Sequence, residues 1–428
     1  MTPSQYVSHP PNNAACAALL SALLAAPAFA QEGAADIGDR LMADASVRAA
    51  LDAARSNEPQ ILEEQVRLCE IEAPSFHEEA RAKVLKSAFE GAGLENVRID
   101  AAGNVLGERP GQKPRPHVVL ASHLDTVFPT GTDLKVKREG PLFRGPGIGD
   151  NCRGLATLIG IVRALQQAKV ETEGPITFVA NVGEEALGNL RGVKHLFDVE
   201  LKDRIDRFVS IDGSGTGFVH VGVGTRRYKV TVKGPGGHSY FSFGNANPVH
   251  ALGRAIAHIS DLEVPKDPRT TFSVGRINGG TSINSIAFEA WMEIDIRSHD
   301  APALQALDAK LHEAIAKGIQ EENARWNGRG AVSVEWEDLG GRLGGVTPLN
   351  SPMVQATISV TKALGLPIQI FSATTDSNIP MSMGIPAVTL DGGGDGKGGH
   401  SLNEVFDSTD SWKGTQRALL LVLALTRP

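Results

Sequence analysis

Short apolar runs alternate with amphipathic stretches over much of the chain. HVVLAS (His117 to Ser122), PITFVANVG (from Pro175), RFVSIDG (from Arg207) and PAVTLDGGG (from Pro386) are brief, apolar and bounded by Gly, Pro or Asp. Runs of that length predict strands buried on both faces. GLATLIGIVRALQQA (Gly154 to Ala168) and DSWKGTQRALLLVLALTRP (from Asp410) carry apolar residues at helical spacing. A polar, helix-prone segment from Ala34 to Ala88 precedes them. Strand–helix alternation predicts an α/β fold with a mostly parallel sheet covered on both faces.

The middle of the chain has another rhythm. RRYKVTVKG alternates like a half-exposed strand, and NPVHALGRAIAHIS is a helix opened by Asn247 and Pro248. TTFSVGRING and NSIAFEAWMEIDIRS read as paired strands, APALQALDAKLHEAIAKGIQEENARW as a long amphipathic helix, and AVSVEWEDL as a closing strand. The order β-α-β-β-α-β is that of a ferredoxin-like module. It runs from about Thr225 to Asp338, and the earlier pattern resumes afterwards. The expected division is a leader over 1–30, a larger domain over 31–224 and 339–428, and an inserted module over 225–338.

The leader expectation rests on the apolar run Ala14 to Leu24 followed by Ala28-Phe29-Ala30 and Gln31. A short apolar core before a small-x-small site reads as a secretory signal peptide cleaved after Ala30. It is too short for a transmembrane anchor. Export to the periplasm or outside is the expectation, with the cytoplasm as the alternative because only His9, and no Lys or Arg, precedes the run. The 428 residues carry a formal net charge of −7 with no long charge run, which argues against a nucleic-acid footprint. Cys16 would leave with the leader. Cys69 and Cys152, far apart in sequence, do not make a disulfide framework, and Cys152 reads as a small packed residue.

Chemistry concentrates just beyond the strands. His123 and Asp125 follow HVVLAS, Glu184 and Glu185 follow ITFVANV, Asp212 follows RFVSI, and His400 comes after PAVTL and a glycine-rich loop. Asp150 stands just before a helix. In open α/β sheets, ligand sites lie beyond the carboxyl ends of strands. Two imidazoles with several carboxylates suit zinc, with manganese or cobalt as rivals. His123, Asp150, Glu185, Asp212 and His400 supply enough ligands for two ions sharing one carboxylate, a site that makes hydroxide from water. Asp125, two residues after His123 on an extended stretch, would accept the other ring N–H of that histidine. Glu184 and Glu185, being adjacent, must face different ways. If Glu185 is a ligand, Glu184 is the candidate general base and then acid. The loop DGGGDGKGGHS resembles a phosphate cradle but lacks the Ser or Thr that a P-loop places after its Lys.

SHLDTVFP, GIGDNCRGLA, NVGEEALG, SIDGSG, GPGGHS and GGHSLNE follow one another in the chain. As a set they resemble the co-catalytic zinc metallopeptidase family of peptidase T, glutamate carboxypeptidase, aminoacylase, acetylornithine deacetylase and succinyl-diaminopimelate desuccinylase. The resemblance implies that His123 and Asp212 hold one zinc, Glu185 and His400 the other, and that Asp150 bridges them and is followed by a cis peptide bond to Asn151. It implies Asp125 behind His123, Glu184 as base, and His238 reaching a substrate carbonyl oxygen, often in the partner subunit. It implies substrate contacts from Asn284 and Arg297, with Thr375 and Asp376 as weaker candidates, and makes the larger domain catalytic and the inserted module over 225–338 a lid through which a homodimer forms. The expected activity is that of a two-zinc exopeptidase on short peptides. Carboxypeptidase or deacylase action on N-acyl amino acids, and a non-catalytic metal-binding homologue, are the alternatives.

Overall fold

The structure, a computed structural model, describes residues 37–427. The leader expected over 1–30 lies outside the described residues.

The sheet of the larger domain has a parallel centre. From one edge, its strands run Glu95–Ile99, Val105–Arg109, Ile176–Asn181, Val118–His123, Arg207–Ile211, Ala387–Leu390, Phe218–Gly222 and Gly345–Val346, with Ile370–Ala373 paired to Phe218–Gly222. Ile176–Asn181, Val118–His123, Arg207–Ile211 and Ala387–Leu390 are mutually parallel. The strands outside them turn antiparallel, through Val105–Arg109 on one side and Phe218–Gly222 on the other. Both faces are covered because successive side chains point to opposite faces. Val118 and Leu120 join the core under Cys152–Gln167 and Trp412–Leu425, while Val119 and Ala121 join the core with Val193 and Ile379.

Register sets up the site. His123 is level with Asn181, Ala121 with Ser210, and Leu390 with Ile211. The four central strands therefore end together, and the segments carrying Asp125, Glu184, Asp212 and Asp391 all leave from one edge.

Helix starts obey local chemistry. Asn151 caps Cys152–Gln167 by accepting from Gly154 N, Asn247 caps Pro248–Ser260, and Asp300 caps Ala301–Arg325, the last two with Pro in the first turn. The inserted domain has the sheet order Thr270–Gly279, Glu289–Ser298, Gly224–Lys233, Ser333–Arg342, all antiparallel. Its two helices pack Leu252, Ile259, Leu307, Leu311 and Ile315 on Val230, Val232, Ile294 and Ile296. This is the ferredoxin-like arrangement that the element order predicts, with the closing strand running to Arg342 rather than stopping near Asp338.

The cysteine expectation is corrected. Cys69 and Cys152 form a disulfide, with Cα atoms 5.5 Å apart across a sequence separation of 83. One ends the helix Glu58–Cys69 and the other begins the helix packed against it. Sequence distance carries no information about this contact, because helix packing creates it.

Arg153, one residue further, is wholly buried. It donates to Glu58 Oε1 at 2.8 Å, to Gly392 O at 2.8 Å and to Ser411 O at 2.7 Å. It thereby ties the start of its helix to the first helices, to the loop after Leu390 and to the start of the last helix. No helix among the described residues is long and apolar enough to cross a membrane.

Candidate active site

Five side chains converge, four from the ends of central strands or the segments that follow them and Asp150 from the loop before the helix Cys152–Gln167. His123 Nε2 lies 3.2 Å from Asp150 Oδ1 and 3.4 Å from Asp212 Oδ1. His400 Nε2 lies 3.1 Å from Asp150 Oδ2 and 3.1 Å from Glu185 Oε1. Asp150 thus gives one oxygen to each imidazole, and each imidazole faces a second carboxylate.

The backbone explains how the parts arrive. Asp212 follows Ile211 directly, and its N–H donates to Leu390 O at 2.9 Å, which fixes its exit from the sheet. His400 sits in a turn at φ 62°, in the left-handed region, two residues after Gly398 at φ 71°. Asp150 ends a loop gripped by Glu404, which accepts from Gly147 N at 2.9 Å, Gly149 N at 2.8 Å and Asp150 N at 3.0 Å. A Cβ on Gly149 would meet Ser214 Oγ at 2.6 Å and Glu404 Oε1 at 2.9 Å, so a side chain there would have to displace Ser214 and the Glu404 carboxylate that grips the loop. The Asp150–Asn151 peptide is cis, as the resemblance implies. Asn151 Nδ2 then donates to Ser122 Oγ and Ile211 O, both at 2.9 Å, anchoring the loop to two strand ends.

Asp125 does a different job from the expected one. His123 Nδ1 meets the main-chain oxygen of Asp125 at 3.0 Å, whereas the carboxylate is 3.6 Å away. Both are acceptors, so Nδ1 carries a proton, which leaves Nε2 to face the carboxylates of Asp150 and Asp212. The Asp125 carboxylate instead accepts from Ser75 Oγ at 2.6 Å and from Glu184 N and Glu185 N, both at 3.0 Å. Its main role is to shape the turn that carries both glutamates. Their backbones then aim the side chains apart: Glu185 toward His400, and Glu184 toward Arg342 Nη1 at 2.9 Å.

The electrostatics reflect crowded negative charge. Burial opposes charge on His123, yet the carboxylates of Asp212, Asp125 and Asp150 hold its pKa well above the usual imidazole range. Hydrogen bonds to Asp150 and Glu185 push His400 up to about 10. Burial raises Glu184 well above the normal carboxyl value, although the Arg342 guanidinium opposes it. Burial would raise Asp150 too, but the neighbouring imidazoles of His123 and His400 pull it below the ordinary range. Asp150 Oδ1 is buried and accepts no hydrogen bond among the described residues. Three carboxylates and two imidazoles around such an oxygen are a donor set that fits divalent cations. His123, Asp150 and Glu185 each offer a ligand atom within 4.8 Å of the others.

A second group, Asp100, His195 and Glu200, meets the same distance test. There, Asp100 Oδ1 already accepts from Ala102 N, Gly103 N and Asn104 N, and Arg98 holds Glu200. Those partners make it a turn and an ion pair.

The remaining candidates fall in two places. His238 and Asn284 lie side by side on an exposed ribbon of the lid, where His238 is level with Ser285 and Ser239 N donates to Asn284 O. Arg297 lines a cleft of about 520 Å³ together with Arg269, His299, Phe371 and Ser372, and pairs with Asp295 at 2.6 Å. Thr375 and Asp376 are a correction. Both are buried under the sheet end, where Thr375 Oγ1 bonds Thr389 Oγ1 at 2.7 Å and Asp376 Oδ2 accepts from Asn181 Nδ2 at 2.8 Å. Burial, which also raises Asp376 to about 7, makes them supports for the site rather than substrate contacts.

Glu404, Ser75 and Arg342 support the site without being singled out by any pattern of strand ends. Glu404 closes the motif GGHSLNE, and that motif is its one signal in the chain. The other two stand in segments whose spacing to the site is set only by folding.

Known proteins carry the same framework. The chain is 28% identical over 348 residues to succinyl-diaminopimelate desuccinylase of Corynebacterium glutamicum, covering 79% of this chain and 89% of that one. The crystal structure of aminopeptidase PepT from Bacillus cereus superposes with a TM-score of 0.72 at 22% identity, over 87% of this chain and 99% of that one. A dinuclear metal-binding peptidase of Bacillus subtilis, YXEP, superposes with a TM-score of 0.65 at 16% identity, over 86% and 98%. Residues 119–424 match the peptidase family M20/M25/M40, a span that contains all five converging ligand-type side chains together with Glu184. By that match the chain belongs to the peptidase family M20/M25/M40 and is a hydrolase of amide bonds.

Proposed function

We propose that this protein is a two-metal exopeptidase acting on short peptides. The observation that carries the reading is Asp150 standing between His123 and His400, with Asp212 and Glu185 completing the two sides. In this reading His123, Asp150 and Asp212 would hold one divalent ion, and Asp150, Glu185 and His400 the other. Zinc is the first candidate, and manganese and cobalt the rivals. Bound there, such ions lower the pKa of water and polarise a carbonyl oxygen. Glu184 takes the proton from the attacking water and returns it to the leaving amine. Asp125 holds the Glu184–Glu185 turn and its carbonyl fixes the His123 tautomer. His238, carried by the lid, donates to the developing oxyanion, and Asn284 and Arg297 bind the ends of the substrate. Pairing of two copies through the lid domain fits His238 being exposed on a ribbon of the lid.

A panel of dipeptides, tripeptides and N-acyl amino acids, assayed with added zinc, manganese or cobalt, tests the reading. Turnover of peptides above N-acyl amino acids supports it. The reverse order favours the deacylase, which the 28% identity to a desuccinylase keeps in view. Flat rates across the panel would favour a non-catalytic homologue.

We also propose export to an oxidising compartment. The Cys69–Cys152 disulfide supports this, since such bonds persist outside the reducing cytosol. Protein recovered from the periplasm or medium is expected to begin at Gln31 and to show no reactive thiol at either cysteine when denatured without reductant. Edman sequencing and thiol labelling check both, and a retained leader with free thiols would defeat the proposal.

A further inference from the structure

Arg342 is the last residue of the lid's closing strand and lies level with Thr225 at the start of its first. The chain passes between catalytic domain and lid at just these two places. Arg342 N donates to Thr225 Oγ1 at 3.2 Å, which ties the two crossings together. Its side chain leaves the lid and is almost fully buried in the catalytic domain. There Nη1 donates to Glu184 Oε1 at 2.9 Å and Nη2 donates to the main-chain oxygen of Glu184. Glu184 N is held by Asp125 Oδ1. The residue is thus fixed at its N–H, its carbonyl and one carboxylate oxygen, while Oε2 accepts no hydrogen bond among the described residues.

A buried arginine needs a partner, because an unpaired charge away from water is costly. Any rotation of the lid about its two crossings must therefore either drag the guanidinium across Glu184 or break a buried pair. A bidentate grip on one residue also fixes direction as well as distance.

We propose that Arg342 is a positioning residue that holds the Glu184 carboxylate with Oε2 toward the reacting water and makes that alignment depend on the lid hinge. This rests on the proposed role of Glu184 as base. Arg342 acts through Glu184, so its effect belongs in kcat and vanishes when Glu184 is already disabled.

The test is a double-mutant cycle on the best substrate of the panel, with metal content measured for each protein. Arg342→Gln is expected to lower kcat by about 10²-fold, the scale of a misplaced catalytic group, with KM within threefold, roughly, of wild type and metal content unchanged. Arg342→Lys, which keeps the charge but not the fork, is expected to regain part of the loss. Adding Arg342→Gln to Glu184→Gln is expected to cost nothing further. A rise in KM at constant kcat, or additive losses in the double variant, would mean that Arg342 meets the substrate itself and would overturn the proposal. Full activity in Glu184→Gln would defeat the base assignment instead. Should the wild type turn over nothing in the panel, amide hydrogen exchange decides. Protection at Glu184 and Glu185 falls in Arg342→Gln and returns in Arg342→Lys if the proposal holds, and stays unchanged if it does not.

Discussion

Glu184→Gln is expected to lower kcat by about 10²–10⁴-fold, the usual contribution of a positioned general base, while the protein keeps its full complement of divalent metal. The substitution preserves size and can still accept the Arg342 Nη1–H through its amide oxygen, so the turn held by Asp125 should survive. What disappears is an oxygen able to take a proton. Glu185→Gln offers the contrast. Glu185 faces His400 at 3.1 Å, and the same change there removes a charge from the group that gathers around Asp150. That variant is expected to lose metal, and to recover part of its activity when metal is added in excess. Steady-state kinetics beside elemental analysis separates the two. Equal metal loss in both variants would contradict the division of labour between the adjacent glutamates.

Arg153→Met is expected to destabilise the fold by about 3–5 kcal/mol, the cost of breaking a buried ion pair by removing one partner. Methionine fills much of the space but leaves Glu58 buried without its cation, and leaves Gly392 O and Ser411 O without their Arg153 donors. Adding Glu58→Leu to Arg153→Met should recover a large share of that loss, since an uncompensated charge accounts for much of it. Denaturant titrations of the two variants and wild type measure both steps. A single variant as stable as wild type would show that the three segments joined by Arg153 hold together without it. The stitch matters for the site because Asp150 stands three residues before Arg153, on the loop that Glu404 grips from the other side.

Much of the site is legible in the order of residues along the chain. The four apolar runs of the parallel centre, the helix start at Asn247, and the β-α-β-β-α-β order of the lid follow from period and turn chemistry, which are local. Strand-end placement of His123, Glu185, Asp212 and His400 follows from those runs, since parallel strands with aligned ends deliver their next residues to one edge. The adjacency of Glu184 and Glu185 by itself requires that they face apart.

What folding alone decides is every contact whose partners are far apart in sequence. The Cys69–Cys152 bond depends on two helices lying against each other, and no spacing rule encodes that. Glu404 returns across 254 residues to the amide of Asp150, and Arg342 across 158 to Glu184. The resemblance makes Thr375 and Asp376 weak candidates for substrate contacts. Packing of their loop under the sheet buries them, because Asn181 and Thr389 supply hydrogen-bond partners there. The sequence by itself determines which residues reach the edge of the sheet. Tertiary structure determines which way each one turns and what holds it, because orientation is set by neighbours that only a folded chain brings within hydrogen-bonding distance.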